Sequence, residues 1–564
     1  MKTRKLKKII TISILLVVLS GSFLLFQSSS NDDFKLVKNL EIYYTLFREL
    51  NHWYVDDTDP EKLVTSSING MLKETDPYTT YIPESDEDDF KFMTTGEYGG
   101  IGALIRKNGE YAIIAEPYKN FPAAVNGLIA GDTIVSIDGK LMKNLAITKI
   151  SEHLKGKPGT PLVIRVKRYG TPGEIEKTIT REKITVPNVP YYGMLEDGIA
   201  YIRLSNFTTD AGKEVKKAFI ELKNSNDLTG VILDLRNNPG GLLIEAVDVA
   251  NIFIESGQEI VSTKGRVNQW DYTYKTRYSP VDTEMPLAVL VNRISASASE
   301  IVAGSVQDLD RGVIIGQRTY GKGLVQTTRD LAYNSKLKLT TAKYYIPSGR
   351  CIQALDYSNR NEDGSVGIVP DSLISEFTTS NGRKVYDGGG IGPDIQSKND
   401  DYSQFTVSLF TQNMLFDYAT IYSIQHESIP ELDQFIIDDH IYNDFKNFIK
   451  SRNFSYTTRS EDSLNELINI AKREKYYDLS KEEFDALQEK LAHNNDKDLN
   501  NFRDEISELL KQEIVSRYYY QWGQIRSSID GDKDIDKAIE VLKNSDQYLT
   551  TLAVDPVMAL AGSN

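Results

Sequence analysis

The sequence holds a single cysteine, Cys351, so no intramolecular disulfide can form and a thiolate-rich zinc site is excluded. Stability has to come from packing. Histidine is nearly as scarce: His52, His153, His426, His440 and His493 are the five, and no imidazole lies between positions 154 and 425. Acid-base chemistry in that stretch needs another side chain. Lysine and arginine are outnumbered by acidic residues, 65 to 80, for a formal charge of −15, and they concentrate only in the first eight residues. That excludes the basic footprint of a nucleic-acid binder. There is no phosphate loop of the G-x-x-x-x-G-K-[ST] type, no repeat of solenoid period and no low-complexity tract.

What is present is ordinary globular material, 40% apolar and 26% charged over 564 residues. That length exceeds one hydrophobic core and implies several folded units. Lys2, Arg4, Lys5, Lys7 and Lys8 precede an apolar run from Ile9 to Phe26. Residues 1–28 read as a signal anchor or signal peptide, with the basic flank held in the cytoplasm. No A-x-A site follows, and either reading exports the remainder to the cell envelope, facing the periplasm or extracytoplasmic space.

Residues 34–93 read as a small helical region, with Leu40, Tyr43, Tyr44, Phe47 and Leu50 on one face. Residues 94–182 change to short glycine-punctuated runs, a β-rich module with strands at Gly99–Ile105, Tyr111–Ala115, Thr133–Ile137 and Leu162–Val166 and one helix from Ala146 to Leu154. From 183 to 398 strand and helix alternate, the order of an α/β layered domain: Ile199–Leu204, Asp210–Leu222, Val231–Leu235, Leu242–Phe253, Leu287–Val291, Ala298–Asp308 and Val313–Gly316. Residues 399–564 are poor in glycine, and Ser480-Lys-Glu-Glu483 opens a helix as a capping box, so this tail reads as all-helical.

Four segments carry chemistry. In Pro286-Leu-Ala-Val-Leu-Val-Asn-Arg-Ile-Ser-Ala-Ser-Ala-Ser-Glu300 a buried strand runs through small residues into a helix. Such a turn displays a nucleophile, Ser297, with amides such as that of Ala298 aimed at a developing oxyanion. The same serines also read as a plain N-cap cluster. Tyr320-Gly-Lys-Gly-Leu-Val-Gln326 sets Lys322 between two glycines. Burial lowers a lysine from about 10.4 toward neutrality and makes it a base. Gln326, four positions on and on the same strand face, would orient it, although Gly-Lys-Gly is also an ordinary surface turn. Val231-Ile-Leu-Asp-Leu-Arg-Asn-Asn-Pro-Gly-Gly241 offers oxyanion amides at Gly240 or Gly241, or else a tight loop with Asp234 and Arg236 paired structurally. In Gly96-Glu-Tyr-Gly-Gly-Ile-Gly102, Gly99, Gly100, Ile101 and Gly102 precede a strand and read either as a carboxylate-binding loop or as a β-turn.

Together these segments resemble the carboxyl-terminal processing protease family, tail-specific serine peptidases with a PDZ domain, over about residues 35–395. Tyr98-Gly-Gly-Ile-Gly102 looks like the PDZ carboxylate loop, and Phe121–Gly139 is similar to the PDZ stretch after it. Asp234–Gly241, Ser295–Glu300, Gly321–Gln326 and Gly390-Ile-Gly-Pro-Asp394 look like the protease-core motifs. Leu128-Ile-Ala-Gly131 is a slightly altered PDZ turn, and the helical tail exceeds the minimal family pattern.

The resemblance implies a crotonase-like ββα superhelical core with an inserted PDZ domain. It implies Ser297 as nucleophile, Lys322 as base, Gln326 as its orienting partner, and oxyanion amides from Ala298 and the Gly240/Gly241 turn. Substrates would be proteins held by their C-termini, with no metal or organic cofactor required. The rivals are a catalytically idle PDZ adaptor and an envelope scaffold. The tail, beyond the last core motif, is expected to be dispensable for chemistry and to serve a homo-oligomer contact or a regulatory partner.

Overall fold

The computed structural model describes residues 33–361, 363, 365–397, 402–491 and 494–553. The targeting segment 1–28 and His493 lie outside them. The chain divides into two units, one up to Tyr81 and one from Ile82 onward. In the first, residues 33–53 are helical and a second helix spans Pro60–Lys73, capped by Asp59 accepting from the amides of Glu61 and Lys62. Phe47 is half-buried there, while Leu40, Tyr43, Tyr44 and Leu50 are exposed. No described helix is long and apolar enough to cross a membrane.

The second unit is layered α/β. Its centre is a six-stranded sheet in the order Tyr191–Met194, Ile199–Arg203, Gly230–Asp234, Leu287–Val291, Val313–Gly316 and Ile395–Gln396. The first pair is antiparallel and the rest are parallel. Leu287–Val291 is apolar throughout, and Gly230–Asp234 is apolar up to its terminal Asp234, because both faces are covered. Ala200, Ile202, Leu233, Val289 and Ile314 turn to one face and pack with helices Ala211–Ser225, Leu243–Ala250 and Ala298–Asp308. Tyr201, Ile232, Ala288, Leu290 and Ile315 turn to the other and meet Ile535, Ala538, Val541 and Leu542 of helix Lys533–Lys543, with Tyr548 and Leu552 after it. The end of the tail is therefore a layer of the α/β core. Its removal would bare this face, which does not agree with a tail dispensable for the chemistry.

The rest of the tail forms its own bundle around Phe405, Tyr442, Phe445, Leu510 and Ile514. The long helix Arg503–Ser527 joins the two packings. Its backbone leaves helical geometry at Tyr520 (φ 56°, ψ −160°), between bundle residues Ile514 and Val515 and Ile525 at the sheet.

Residues 97–185 loop out of the core. Glu97–Gly100 pairs antiparallel with Glu182–Thr185 as a neck, and beyond it a sheet runs in the order Ala103–Asn108, Tyr111–Pro117, Thr133–Ile137, Pro161–Lys167 and Ile175–Thr180. Helix Ile147–Leu154 buries Ile150 and Leu154 against it. This module rests on the tail bundle: Ile113 and Ala130 pack on Phe416, whose ring lies between the guanidinium groups of Arg106 (3.7 Å) and Arg517 (4.3 Å).

A second, antiparallel sheet holds, in order, Tyr272–Lys275, Glu259–Gly265, Lys336–Tyr345 and Leu324–Asp330. Sequence reading missed all of it except the last strand's beginning.

Candidate active site

The strand Leu287–Val291 is wholly buried and ends in a loop closed by Asn292, which accepts the amide of Ile294 at 3.1 Å. Helix Ala298–Asp308 follows, and Ser297 stands at the junction with φ 56° and ψ −113°. A residue with a side chain holds such a backbone only at a cost of about 1–3 kcal/mol, and such strain clusters at active sites. Ser295 and Ser299 are fully buried, and their hydroxyls donate to the carbonyls of Leu235 (2.8 Å) and Asn238 (2.9 Å). Ser297 alone of the three opens onto a cleft of ≈ 490 Å³. The same cleft is lined by Gly240, Gly241, Lys322, Gln326 and Lys338.

What joins the serine to the lysine is Glu300, a residue quoted within the serine motif but given no role there. Its carboxylate is fully buried. Oε2 accepts the amides of Ser297 (2.8 Å) and Lys322 (2.9 Å), and Oε1 accepts the amide of Gly321 (2.7 Å) and the hydroxyl of Thr319 (2.6 Å). Burial pushes Glu300 up to about 7, against the pull of those four donors. One carboxylate thus ties the backbone of the Ser297 turn to that of the Gly-Lys-Gly turn. No sequence signal separates this from an ordinary capping glutamate three residues after a serine.

The Gly-Lys-Gly segment is no surface turn. Gly321 and Gly323 are buried, with Ala354 donating to Gly321 O at 2.9 Å and Gly323 donating to Gln353 Oε1 at 2.7 Å. The strand begins only at Leu324, and its register shifts between Val325 and Gln326. Lys322 therefore precedes the strand, and simple alternation does not place it with Gln326, although both line the cleft. The Gln326 amide donates to Thr340 Oγ1 at 3.2 Å.

The opposite wall is the turn after Gly230–Asp234. Gly240 has φ 97°, and a Cβ there would lie 2.6 Å from Ala296 O and 2.8 Å from Ser297 Cβ, so glycine is what lets the turn touch the serine. Its amide donates to Asn238 Oδ1 at 2.9 Å, which narrows the expected oxyanion donors to Gly241 and Ala298. Asp234 and Arg236 are paired structurally at 2.8 Å. Burial alone would raise Asp234, but Arg203 and Arg236 hold it well below the usual carboxylate range. Arg236 also reaches Asp532 (2.8 Å) and Asp534 (3.2 Å) of the tail.

The four glycine-loop residues divide. Gly99 and Gly100 belong to the neck. Ile101 and Gly102 turn the chain into Ala103–Asn108, with their carbonyls accepting from Ala123 (2.7 Å) and Tyr118 (2.8 Å). Ala103–Asn108 is an edge strand, paired on one side only among the described residues. An open edge beside a helix is the geometry that takes an added peptide strand.

These features have counterparts among known proteins. Residues 198–374 match Peptidase family S41, residues 90–167 match the PDZ domain, and residues 405–542 match a family described as probable PDZ-protease, C-terminal helical domain. A carboxy-terminal-processing protease of Bartonella bacilliformis is 36% identical over 64% of this chain and 81% of its own length. Probable CtpA-like serine proteases of Staphylococcus saprophyticus and Staphylococcus aureus are 34% and 30% identical, over 62% and 77% of this chain and 67% and 85% of their own lengths. The segment order, the paired serine and lysine turns and these likenesses place the chain in the carboxy-terminal-processing protease family, the PDZ-bearing serine peptidases of Peptidase family S41.

Proposed function

We propose that the chain cleaves protein tails by a Ser-Lys acyl-enzyme mechanism. Neutral Lys322 takes the proton of Ser297, the serine oxygen attacks the scissile carbonyl, and the oxyanion is held by the amides of Ala298 and Gly241. Water then hydrolyses the ester. Gln326 orients the amine without adding charge. The observation that carries this reading is Glu300, which accepts the backbone amides of Ser297 and Lys322 on one oxygen and so fixes the two turns together. No imidazole occurs between 154 and 425 to serve instead. The PDZ module captures the substrate's terminal carboxylate at Ile101 and Gly102 and pairs its tail with Ala103–Asn108. The core is a crotonase-like superhelix, and the enzyme works in the cell envelope, anchored in or released from the inner membrane. The tail bundle outside the core layer serves a second subunit or a regulatory partner.

The test is peptide hydrolysis by Ser297→Ala, Lys322→Ala and Ser299→Ala proteins of unchanged thermal stability. The first two should each lose nearly all turnover, and to a similar degree, because they act as one unit. Wild-type rates in either would remove the assignment.

A further inference from the structure

The catalytic cleft contains a second lysine that the mechanism above does not use. Lys338 lies on Lys336–Tyr345, where it faces Thr328 across the strand pair, one same-face step from the Gln326 and Thr340 pair. Gln326, Thr328 and Lys338 all line the cleft. The contrast with Lys336 is informative. Lys336 lies on the same face two residues earlier and pairs with Asp330 (3.0 Å) and Glu87 (3.7 Å). Lys338 is half-buried, and among the described residues no hydrogen bond or ion pair compensates that burial. Phe90 and Met93 line the same cleft and bring no charged side chain to it. A desolvated ammonium without a counter-charge is costly.

We propose that Lys338 forms a carboxylate subsite in the cleft, binding an anionic group that the substrate itself brings. This rests on the reading of Ser297 as nucleophile. A same-face step along a strand is about 7 Å and an extended peptide advances about 3.3 Å per residue, so the carboxylate lies about two or three residues from the scissile bond. It comes either from an Asp or Glu side chain or from a free C-terminus close to the cut.

The test uses the full-length protein and paired synthetic peptides with Glu or Gln, scanned at the second and third positions on either side of the cleaved bond, each as free acid and as amide. The wild type should favour Glu over Gln at one position by about tenfold in kcat/KM, the size of a charge-assisted contact. Lys338→Met should bring that ratio to about one, Lys338→Arg should restore it, and Lys338→Glu should favour a Lys peptide at the same position. If the free-acid preference rather than a Glu position is what Lys338→Met abolishes, the carboxylate is the terminal one. An unchanged Glu-to-Gln ratio together with an unchanged acid-to-amide ratio in Lys338→Met overturns the proposal. So does a folded Lys338→Met protein that loses acidic and neutral peptides in equal proportion, which would make the amine part of the chemistry. Failure of the nucleophile assignment shows separately, as turnover surviving in Ser297→Ala.

Discussion

The two faces of the six-stranded sheet are buried to the same degree but are covered from different parts of the chain. Leu233 and Val289 on one face, and Ile232 and Leu290 on the other, are all fully buried. The first face is covered by helices threaded between its own strands, including the one that presents Ser297. The second is covered by Lys533–Lys543 and the residues after it. The cover is local in sequence on one side and distant on the other, yet Arg236 connects the two, holding Asp234 at the end of a core strand and Asp532 at the start of the covering helix. A domain boundary drawn at the last recognisable motif therefore cuts through a core.

The strongest way to break this equivalence is removal. A chain ending at residue 398 should lose both its cooperative thermal transition and its peptidase activity, because the face carrying Tyr201, Ile232 and Leu290 would meet water. A folded, active truncation would show the second face to be a detachable contact.

The next effect belongs to the first face. Glu300→Gln puts an NH2 group where four donors converge and should cost about 100-fold in kcat, the loss expected when groups that position oxyanion amides are disturbed. Its pH signature has opposite signs for activity and stability. With Glu300 raised to about 7, the folded state holds more protons than the unfolded one between about 4.5 and 7. Stability from this group is therefore greatest at low pH and declines as pH rises through that window. Activity should climb over the same window, as the ionised carboxylate takes all its donors. Paired denaturant and activity titrations of the wild type and Glu300→Gln measure both, and a variant with the wild-type acid limb would exclude Glu300 as its source.

Ile232→Ala and Leu233→Ala, neighbours on one strand and pointing to opposite faces, sharpen the comparison. Each should cost about 2–5 kcal/mol in urea unfolding. A small loss for Ile232→Ala alone would mean that the tail layer is weakly held. The smallest expected effect is that of Asp532→Asn with Asp534→Asn. Arg236 keeps Asp234, so stability should fall by about 1–2 kcal/mol, with kcat reduced several-fold and KM little changed. A pure stability loss with kcat intact would uncouple the tail from the turn that follows Asp234.

Much of this was legible in the sequence. Thr133–Ile137, Leu287–Val291, Ala298–Asp308 and Val313–Gly316 lie where apolar runs and small-residue turns put them. For Leu287–Val291 and Val313–Gly316 the reason is that strands buried on both faces leave no polar alternation to misread. The serine and lysine turns were legible as motifs. Glu300 was not, since its function exists only where residues 297, 319, 321 and 322 converge. The sheet of Lys336–Tyr345 was missed even though Lys336-Leu-Lys-Leu-Thr340 alternates with period two, because a lone alternating strand does not say which distant strands it pairs with. The tail's apolar spacing was visible, but a 3.6-residue period does not say whether a helix packs on its own bundle or on a distant sheet.

Tyr548, whose hydroxyl accepts the amide of Leu287, stands 261 residues after it, and this separation sets a schedule for synthesis. At about 5–20 residues per second, the strand Leu287–Val291 waits for its cover for roughly ten seconds to a minute. Through that interval the serine and lysine turns exist on a sheet with one bare apolar face, a surface that invites chaperones and discourages a settled fold. The sheet is covered on both faces only once the chain has been made past Leu542 and Tyr548, so the order in which its layers arrive delays the moment at which the serine turn rests on a finished core.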